Sequence, residues 1–346
     1  MKRALVTGGT GFIGAHVVRK LVERGYHVVA LVRPTSNLTL LKGLCLHTVI
    51  GDLTDFDSLI PPMRDIDELY HVAADYRLWA RNPHEIYLNN VAGTRNVLEA
   101  AFVCGVSKVV YTSSVGCLGI PLDGSEGDET TPVEKKQLVG NYKKSKFDAE
   151  QAALEYVARG LDVVIVNPST PVGPGDIKPT PTGKIVLDFL NGNMRGFVDT
   201  GLNLIAVEDV AEGHILAAER GTTGEKYILG NRNMTLREIL ETLAHLTNRK
   251  SPTFHVPHFL ALAAAIVDTA RCKALSKEPC IPIEGVLMSQ KKMFFSSAKA
   301  VRELGLPQSS VEDALARSIA WFEANGYVKR PNLSFRAPSG GCPLEP

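Results

Sequence analysis

Tyr142 and Lys146 stand four residues apart in Tyr142-Lys143-Lys144-Ser145-Lys146, within a stretch from 140 to 159 whose pattern predicts a helix. At that spacing two side chains share one helical face. A phenol, with a reference pKa of about 10, is a weak acid–base group near neutrality. A neighbouring ammonium stabilises the phenolate and draws that pKa toward the working range. A hydroxyl at the end of Thr112-Ser113-Ser114 can hydrogen-bond a substrate oxygen while the phenol gives or takes its proton. On spacing alone the Tyr–Lys pair equally describes a solvated surface contact. Two further features give it context.

The first is Val6-Thr7-Gly8-Gly9-Thr10-Gly11-Phe12-Ile13-Gly14, which follows a predicted strand and opens a predicted helix. Glycines at 8, 11 and 14 permit a tight turn, close approach of backbone to a pyrophosphate, and packing of helix on strand. The anion then lies on unpaired N–H groups at the helix N-terminus. Gly8, Thr10, Gly11, Phe12, Ile13 and Gly14 are therefore predicted to hold a dinucleotide. The second feature is Arg33, at the end of the second predicted strand. An acid there selects NAD through the ribose hydroxyls. An arginine instead suits a 2′-phosphate, so NADP(H) is expected, with NAD as the alternative. Asp52 and Leu53, after the third strand, suit an adenine contact, although an ordinary turn aspartate fits the spacing almost as well.

These residues need a scaffold, and the first 170 residues supply its pattern. Apolar β-branched runs at 4–7, 27–32, 46–50, 69–73, 108–112 and 163–166 alternate with helical stretches, the clearest at 12–25, 85–104 and 140–159. Continuous apolar strands imply burial on both faces and a parallel sheet. Right-handed crossovers then make a doubly wound, Rossmann-like α/β fold. Five prolines between Pro168 and Pro181 predict a covering loop rather than an element. Beyond it, short strands (205–207, 226–229) and helices (235–246, 311–322) predict a smaller, mixed C-terminal substrate domain. The expected division is 1–170 for the dinucleotide, 171–328 mainly for substrate with some segments returning to the first domain, and a loosely ordered tail from 329 to 346.

Composition excludes other classes. With 38 Lys+Arg against 37 Asp+Glu the net charge is +1, too little to attract nucleic acid or an anionic membrane. Hydrophobic residues make up 45%, enough for a globular core. Six cysteines with no CxxC indicate reduced thiols rather than a disulfide framework or zinc site. His255 and His258 have no partners at metal spacing. The longest apolar run, 259–267, is too short to span a bilayer and is expected as an internal core helix. The N-terminus carries no secretory pattern, so a cytoplasmic protein is expected. Arg77, Trp79 and Arg81 at the ligand edge could hold a phosphate or sugar, or form a plain surface loop. The same holds for Lys178, Thr182 and Lys184. His214 is read as structural.

Together these pieces resemble the extended short-chain dehydrogenase/reductase family, of the NAD-dependent epimerase/dehydratase and dihydroflavonol-reductase-like kind. The likeness rests on TGGTGFIG (7–14), GDL (51–53), HVAA (71–74), NNVAGT (89–94), YTSS (111–114), YKKSK (142–146) and NPSTPVGP (167–174). Four longer stretches, 74–83, 165–186, 197–204 and 292–300, resemble the hopanoid-associated sugar epimerases in particular. The resemblance implies that Tyr142 is the acid/base, that Lys146 lowers its pKa and holds the nicotinamide ribose, and that Ser114 orients substrate, with Ser113 as the fallback. It further implies that Val72, Ala73 and Ala74 line the cofactor, that Asn90 supports it, and that Pro168 to Pro171, Thr170 included, cover the nicotinamide. Val115-Gly116-Cys117 stands where dehydratases carry Thr-Asp-Glu, which argues against dehydration. The expected activity is sugar epimerisation by hydride transfer. The alternatives are an NADPH-dependent ketone reductase resembling dihydroflavonol 4-reductase, and a non-catalytic NADP(H)-sensing regulator. The expected partner is a sugar-like or ketone small molecule, with a homodimer implied by the resemblance.

Overall fold

The computed structural model describes residues 1–77, 79–121, 123–274, 279 and 282–329. The strands are β1 (Arg3–Thr7), β2 (His27–Val32), β3 (His47–Ile50), β4 (Glu68–His71), β5 (Lys108–Thr112), β6 (Val163–Pro168), β7 (Thr170–Val172), β8 (Gly196–Phe197), β9 (Gly201–Ala206), β10 (Lys226–Leu229), β11 (Arg232–Thr235) and β12 (Phe254–His255). The helices are α1 (Phe12–Glu23), α2 (Phe56–Met63), α3 (His84–Tyr87), α4 (Gly93–Cys104), α5 (Gly140–Ala158), α6 (Pro181–Leu190), α7 (Val207–Arg220), α8 (Leu236–Thr247), α9 (His258–Ala274), α10 (Ile283–Met288), α11 (Ala298–Leu304) and α12 (Val311–Ala324).

Seven strands form one sheet in the order β10-β6-β5-β4-β1-β2-β3, and every pairing in it is parallel. The continuous apolar runs are explained by two buried faces. In β1, Ala4 and Val6 enter the core beneath α1 and α7, whereas Leu5 enters the core beneath α2, α4 and α5. β6 repeats this with Val164 and Val166 on one side and Val163 and Ile165 on the other. The chain leaves β1 toward β2 and β3, then returns to β4 on its other side. The crevice at the carboxyl ends of β1 and β4 is thus the topological switch point where such sheets bind ligands.

A smaller mixed sheet, β11-β9-β7, pairs β9 antiparallel to β11 and parallel to β7. Its core draws Val186 and Phe189 from α6, Ile239 and Leu243 from α8, and Leu315 and Phe322 from α12. β10 leaves this unit and completes the large sheet beside β6, with Lys226 opposite Ile165.

Three sequence expectations need correction. The proline-rich stretch is not all loop: Thr170–Val172 pairs with β9, because an edge strand tolerates a proline that donates no hydrogen bond. The helix expected over 85–104 is broken by a π-helical turn at Leu88–Ala92, which turns Asn89 and Asn90 toward Asp75. The apolar run 259–267 is helical but not internal. Phe259, Leu260, Ile266 and Val267 of α9 are exposed, since α9 packs on one side, chiefly against α10, and nothing among the described residues covers the other. No helix among the described residues is long and apolar enough to cross a membrane. Cys280, Cys342 and all of the expected 329–346 tail but Lys329 lie outside the described residues; Cys45, Cys104, Cys117 and Cys272 are free thiols.

Candidate active site

The turn after β1 forms the floor of a cleft of about 1030 Å³, at the upper end for ligand sites. Gly8 has φ +72°, and a Cβ there would lie 2.6 Å from the Ala73 nitrogen. A Cβ on Gly14 would lie 2.1 Å from the Gly8 carbonyl oxygen. Neither position has room for a side chain. Gly11 precedes α1 with no side-chain cap, and α1 has no acid in its first turn, so its leading N–H groups are left to an external anion. Below the turn, Thr7 Oγ1 lies 2.7 Å from His71 Nδ1, and His71 Nε2 lies 3.0 Å from Thr94 Oγ1. This ties β1, β4 and α4 together. Burial, and secondarily the charge of Lys146, lowers the His71 pKa to about 3, so the tie is made by neutral imidazole.

The cleft wall collects Gly8, Thr10, Gly11, Phe12, Ile13, Gly14, Arg33, Asp52, Leu53, Val72, Ala73, Ala74, Ser114, Tyr142, Pro168 and Thr170. Two predicted residues lie one layer behind it. Asn90 accepts a hydrogen bond from the Asp75 N–H (2.7 Å) and donates to the Asp75 carbonyl (2.9 Å) and to Ser145 Oγ (3.0 Å). Lys146 is 1% exposed, and its Nζ donates to the Tyr111 hydroxyl (2.9 Å) and the Thr112 carbonyl (2.7 Å). Its ammonium is thus turned to β5 rather than to Tyr142. Burial lowers the Lys146 pKa to about 8. Burial, with an added contribution from Cys117 and against a hydrogen bond with Ser114, pushes Tyr142 up to about 12. Lys146 is not among the groups that act on the Tyr142 phenol here, its ammonium being engaged by Tyr111 and the Thr112 carbonyl.

The structure separates the two serines. Ser113 Oγ donates to the buried Glu150 carboxylate at 2.5 Å and is committed. Ser114 Oγ accepts from the Gly116 N–H at 3.0 Å and faces the cleft beside Tyr142. Glu150 also accepts from Asn167 (2.9 Å) and pairs with Lys226 of β10 (2.5 Å). Sequence reasoning missed it, although Tyr142, Lys146 and Glu150 recur every four residues on α5. Lys143 was also passed over; its side chain lines the cleft. At the far end Thr35, Ser36 and Asn37 join Arg33, and the Arg33 N–H donates to Ser36 Oγ at 2.9 Å. Asp52 is held below the usual carboxylate range by the Thr54 N–H and hydroxyl, with Arg33 adding to this.

Of the discounted residues, Arg77 is bound to Asp75 through contacts of 2.9 and 2.6 Å and reaches Glu85 at 3.2 Å. It is therefore not an open anion receptor. Lys178 and Thr182 line the cleft, whereas Lys184 is exposed on α6. His214 is buried between Thr112 Oγ1 (2.9 Å) and the Val210 carbonyl (2.7 Å), in keeping with a structural role. No cluster among the described residues suits a metal ion.

A dinucleotide fits these residues: a cradle that any Cβ would fill, an uncapped helix N-terminus, and a cleft running from Arg33 to Tyr142. Comparison with known proteins agrees. The NAD dependent epimerase/dehydratase family matches residues 4–230. A putative dihydroflavonol 4-reductase of Synechocystis sp. is 50% identical over 330 residues, covering 94% of this chain and 95% of that protein. Sterol demethylase protein B of Methylococcus capsulatus is 33% identical over 326 residues, covering 94% and 99%. The crystal structure of gox2253 aligns with a TM-score of 0.85 at 46% identity, covering 95% of this chain and all of that one. The chain belongs to the NAD dependent epimerase/dehydratase family, within the extended short-chain dehydrogenases/reductases, and is an NAD(P)-dependent oxidoreductase or epimerase.

Proposed function

We propose that this enzyme is an NADP(H)-preferring oxidoreductase that interconverts a ketone and a secondary alcohol on a largely apolar substrate. The observation that carries the reading is an apolar share of the wall of the cleft that Tyr142 and Ser114 also line: Val115, Ile185, Leu202, Leu236, Met288 and Met293. Such a surface rewards burial of a hydrocarbon frame and offers few partners to the hydroxyls of a sugar.

Bound at the glycine turn, the nicotinamide nucleotide supplies hydride exchange. Gly8 to Gly14 receive the diphosphate, and Arg33 with Ser36 and Asn37 receives the 2′-phosphate. Ser114 Oγ orients the substrate oxygen. Tyr142, raised to about 12 by burial, carries its proton throughout the physiological range. It can pass that proton to the substrate oxygen in reduction and recover one in oxidation. Glu150, Ser113 and Asn167 hold the end of β5 and the Ser114 backbone in place.

The second reading is the sugar epimerase expected from the sequence. Asn89, Lys178 and Thr182 on the cleft wall favour it by giving the mouth a polar side. Absorbance of NADPH separates the two. Net reduction consumes one NADPH per ketone, whereas epimerisation leaves the total unchanged while inverting a centre. Stoichiometric loss of NADPH with apolar cyclic ketones supports the first reading. Inversion of a nucleotide sugar with no net loss overturns it.

A further inference from the structure

Lys143 follows Tyr142 on α5, about 100° further round the helix, and both side chains reach the cleft wall. Its stem lies over the backbone of Gly116, where an added Cβ would meet Lys143 Cγ at 3.3 Å and Cε at 3.6 Å. The absent side chain at 116 is what gives the lysine its path. Its Nζ reaches Met293 Sδ at 3.6 Å, a weak acceptor. No carboxylate among the described residues lies within ion-pair distance of it. A partly buried ammonium on the cleft wall whose hydrogen-bond partner is a thioether lacks a carboxylate counter-charge among the described residues. Burial lowers its pKa to about 8; Cys117 opposes that shift, and Lys291 adds to it.

We propose that Lys143 anchors an anionic group of the substrate, a carboxylate carried close to the carbon whose oxygen Tyr142 protonates. A single ammonium in apolar surroundings matches a monoanion. A phosphate monoester, with close to two charges at neutral pH, calls for more donors than this wall offers. The inference deepens the oxidoreductase reading by naming a substrate class, and it rests on that reading only for the meaning of the site.

The test uses 2-hydroxycyclohexane-1-carboxylate and its methyl ester as probes, titrated calorimetrically into NADP⁺-loaded Tyr142→Phe protein so that turnover adds no heat. The acid is expected to bind about 10- to 100-fold more tightly than the ester, the range of a hydrogen bond to a charged group. Adding Lys143→Met removes that preference, and adding Lys143→Arg keeps it. Anion binding by the lysine protein declines above pH 8 as the amine loses its proton. With arginine, which stays charged, it does not, although Lys146 and Cys117 nearby are unaltered. Equal binding of acid and ester, or a preference that survives Lys143→Met, overturns the proposal. Turnover of the same probes by unmodified enzyme is read separately. A lysine-dependent acid preference without turnover upholds the anchor and removes the oxidoreductase reading.

Discussion

Gly14→Ala places a methyl group where the turn has no space for it. The new Cβ would lie 2.1 Å from the Gly8 carbonyl oxygen, against the 3.0 Å below which such contacts essentially never occur. The first turn of α1 and the Gly8–Gly11 loop must therefore separate by about 1 Å. Overpacking of this kind costs about 1–3 kcal/mol, partly offset by the gain of about 1 kcal/mol that alanine brings to a helix. A net loss of up to about 2 kcal/mol is expected, lowering the thermal midpoint by up to a few °C. The effect on ligand is larger, because the same displacement moves the α1 N–H groups off the diphosphate. Loss of one charge-assisted hydrogen bond, about 1.5–3 kcal/mol, weakens nucleotide binding about 10- to 100-fold. Calorimetric titration with NADP⁺ and thermal denaturation read both effects. Gly285→Ala is the control: it lies in α10 with nothing within 4 Å of the added Cβ, so stability should hold or rise slightly. A Gly14→Ala protein that binds NADP⁺ as tightly as the parent and melts at the same temperature refutes the close-packed cradle.

Other perturbations reach the remaining parts of the site. Arg33→Asp should shift the NADP-over-NAD preference about 10- to 100-fold toward NAD, since one charged contact is lost and a repulsive one gained; an unmoved ratio of kcat/KM values would remove Arg33 from the 2′-phosphate site. Tyr142→Phe should lower turnover about 10²- to 10⁴-fold while NADP⁺ still binds, as titration calorimetry would report. Glu150→Gln removes the buried carboxylate that Ser113 and Asn167 donate to and that pairs with the partly exposed Lys226, and should cost about 1–3 kcal/mol, measured by chemical denaturation. His214 has a pKa lowered to about 4 by burial, so its contribution is complete above the unfolded value of about 6.5. That contribution is lost as pH falls from there through 4, because the unfolded chain takes up the proton first. His214→Gln should flatten the decline in stability over this window by about 1.4 kcal/mol per pH unit.

The central sheet was legible because burial on both faces writes each strand as an unbroken apolar run, and the glycine turn was legible because sterics leave those positions no other residue. What stayed hidden depends on contacts distant in sequence. Spacing put Tyr142 and Lys146 on one face but said nothing of Tyr111 and the Thr112 carbonyl, which capture the ammonium. Ser113 stood as the fallback to Ser114 because spacing could not show that Glu150, 37 residues beyond it, takes its hydroxyl. Helix α9 read as core because nine consecutive apolar residues say nothing about how many of its sides meet a partner. Lys143 was obscured by its neighbours, since a lysine-rich surface turn is the ordinary meaning of Lys143-Lys144.

A crystal structure of the protein with NADP⁺ tests the central claim most directly. The diphosphate should rest within hydrogen-bond distance of the Phe12 and Ile13 N–H groups, the 2′-phosphate should lie beside Arg33, and the nicotinamide should lie in the cleft next to Tyr142 and Ser114. A nucleotide bound away from the Gly8–Gly14 turn, or one whose nicotinamide points away from Tyr142, would contradict the account.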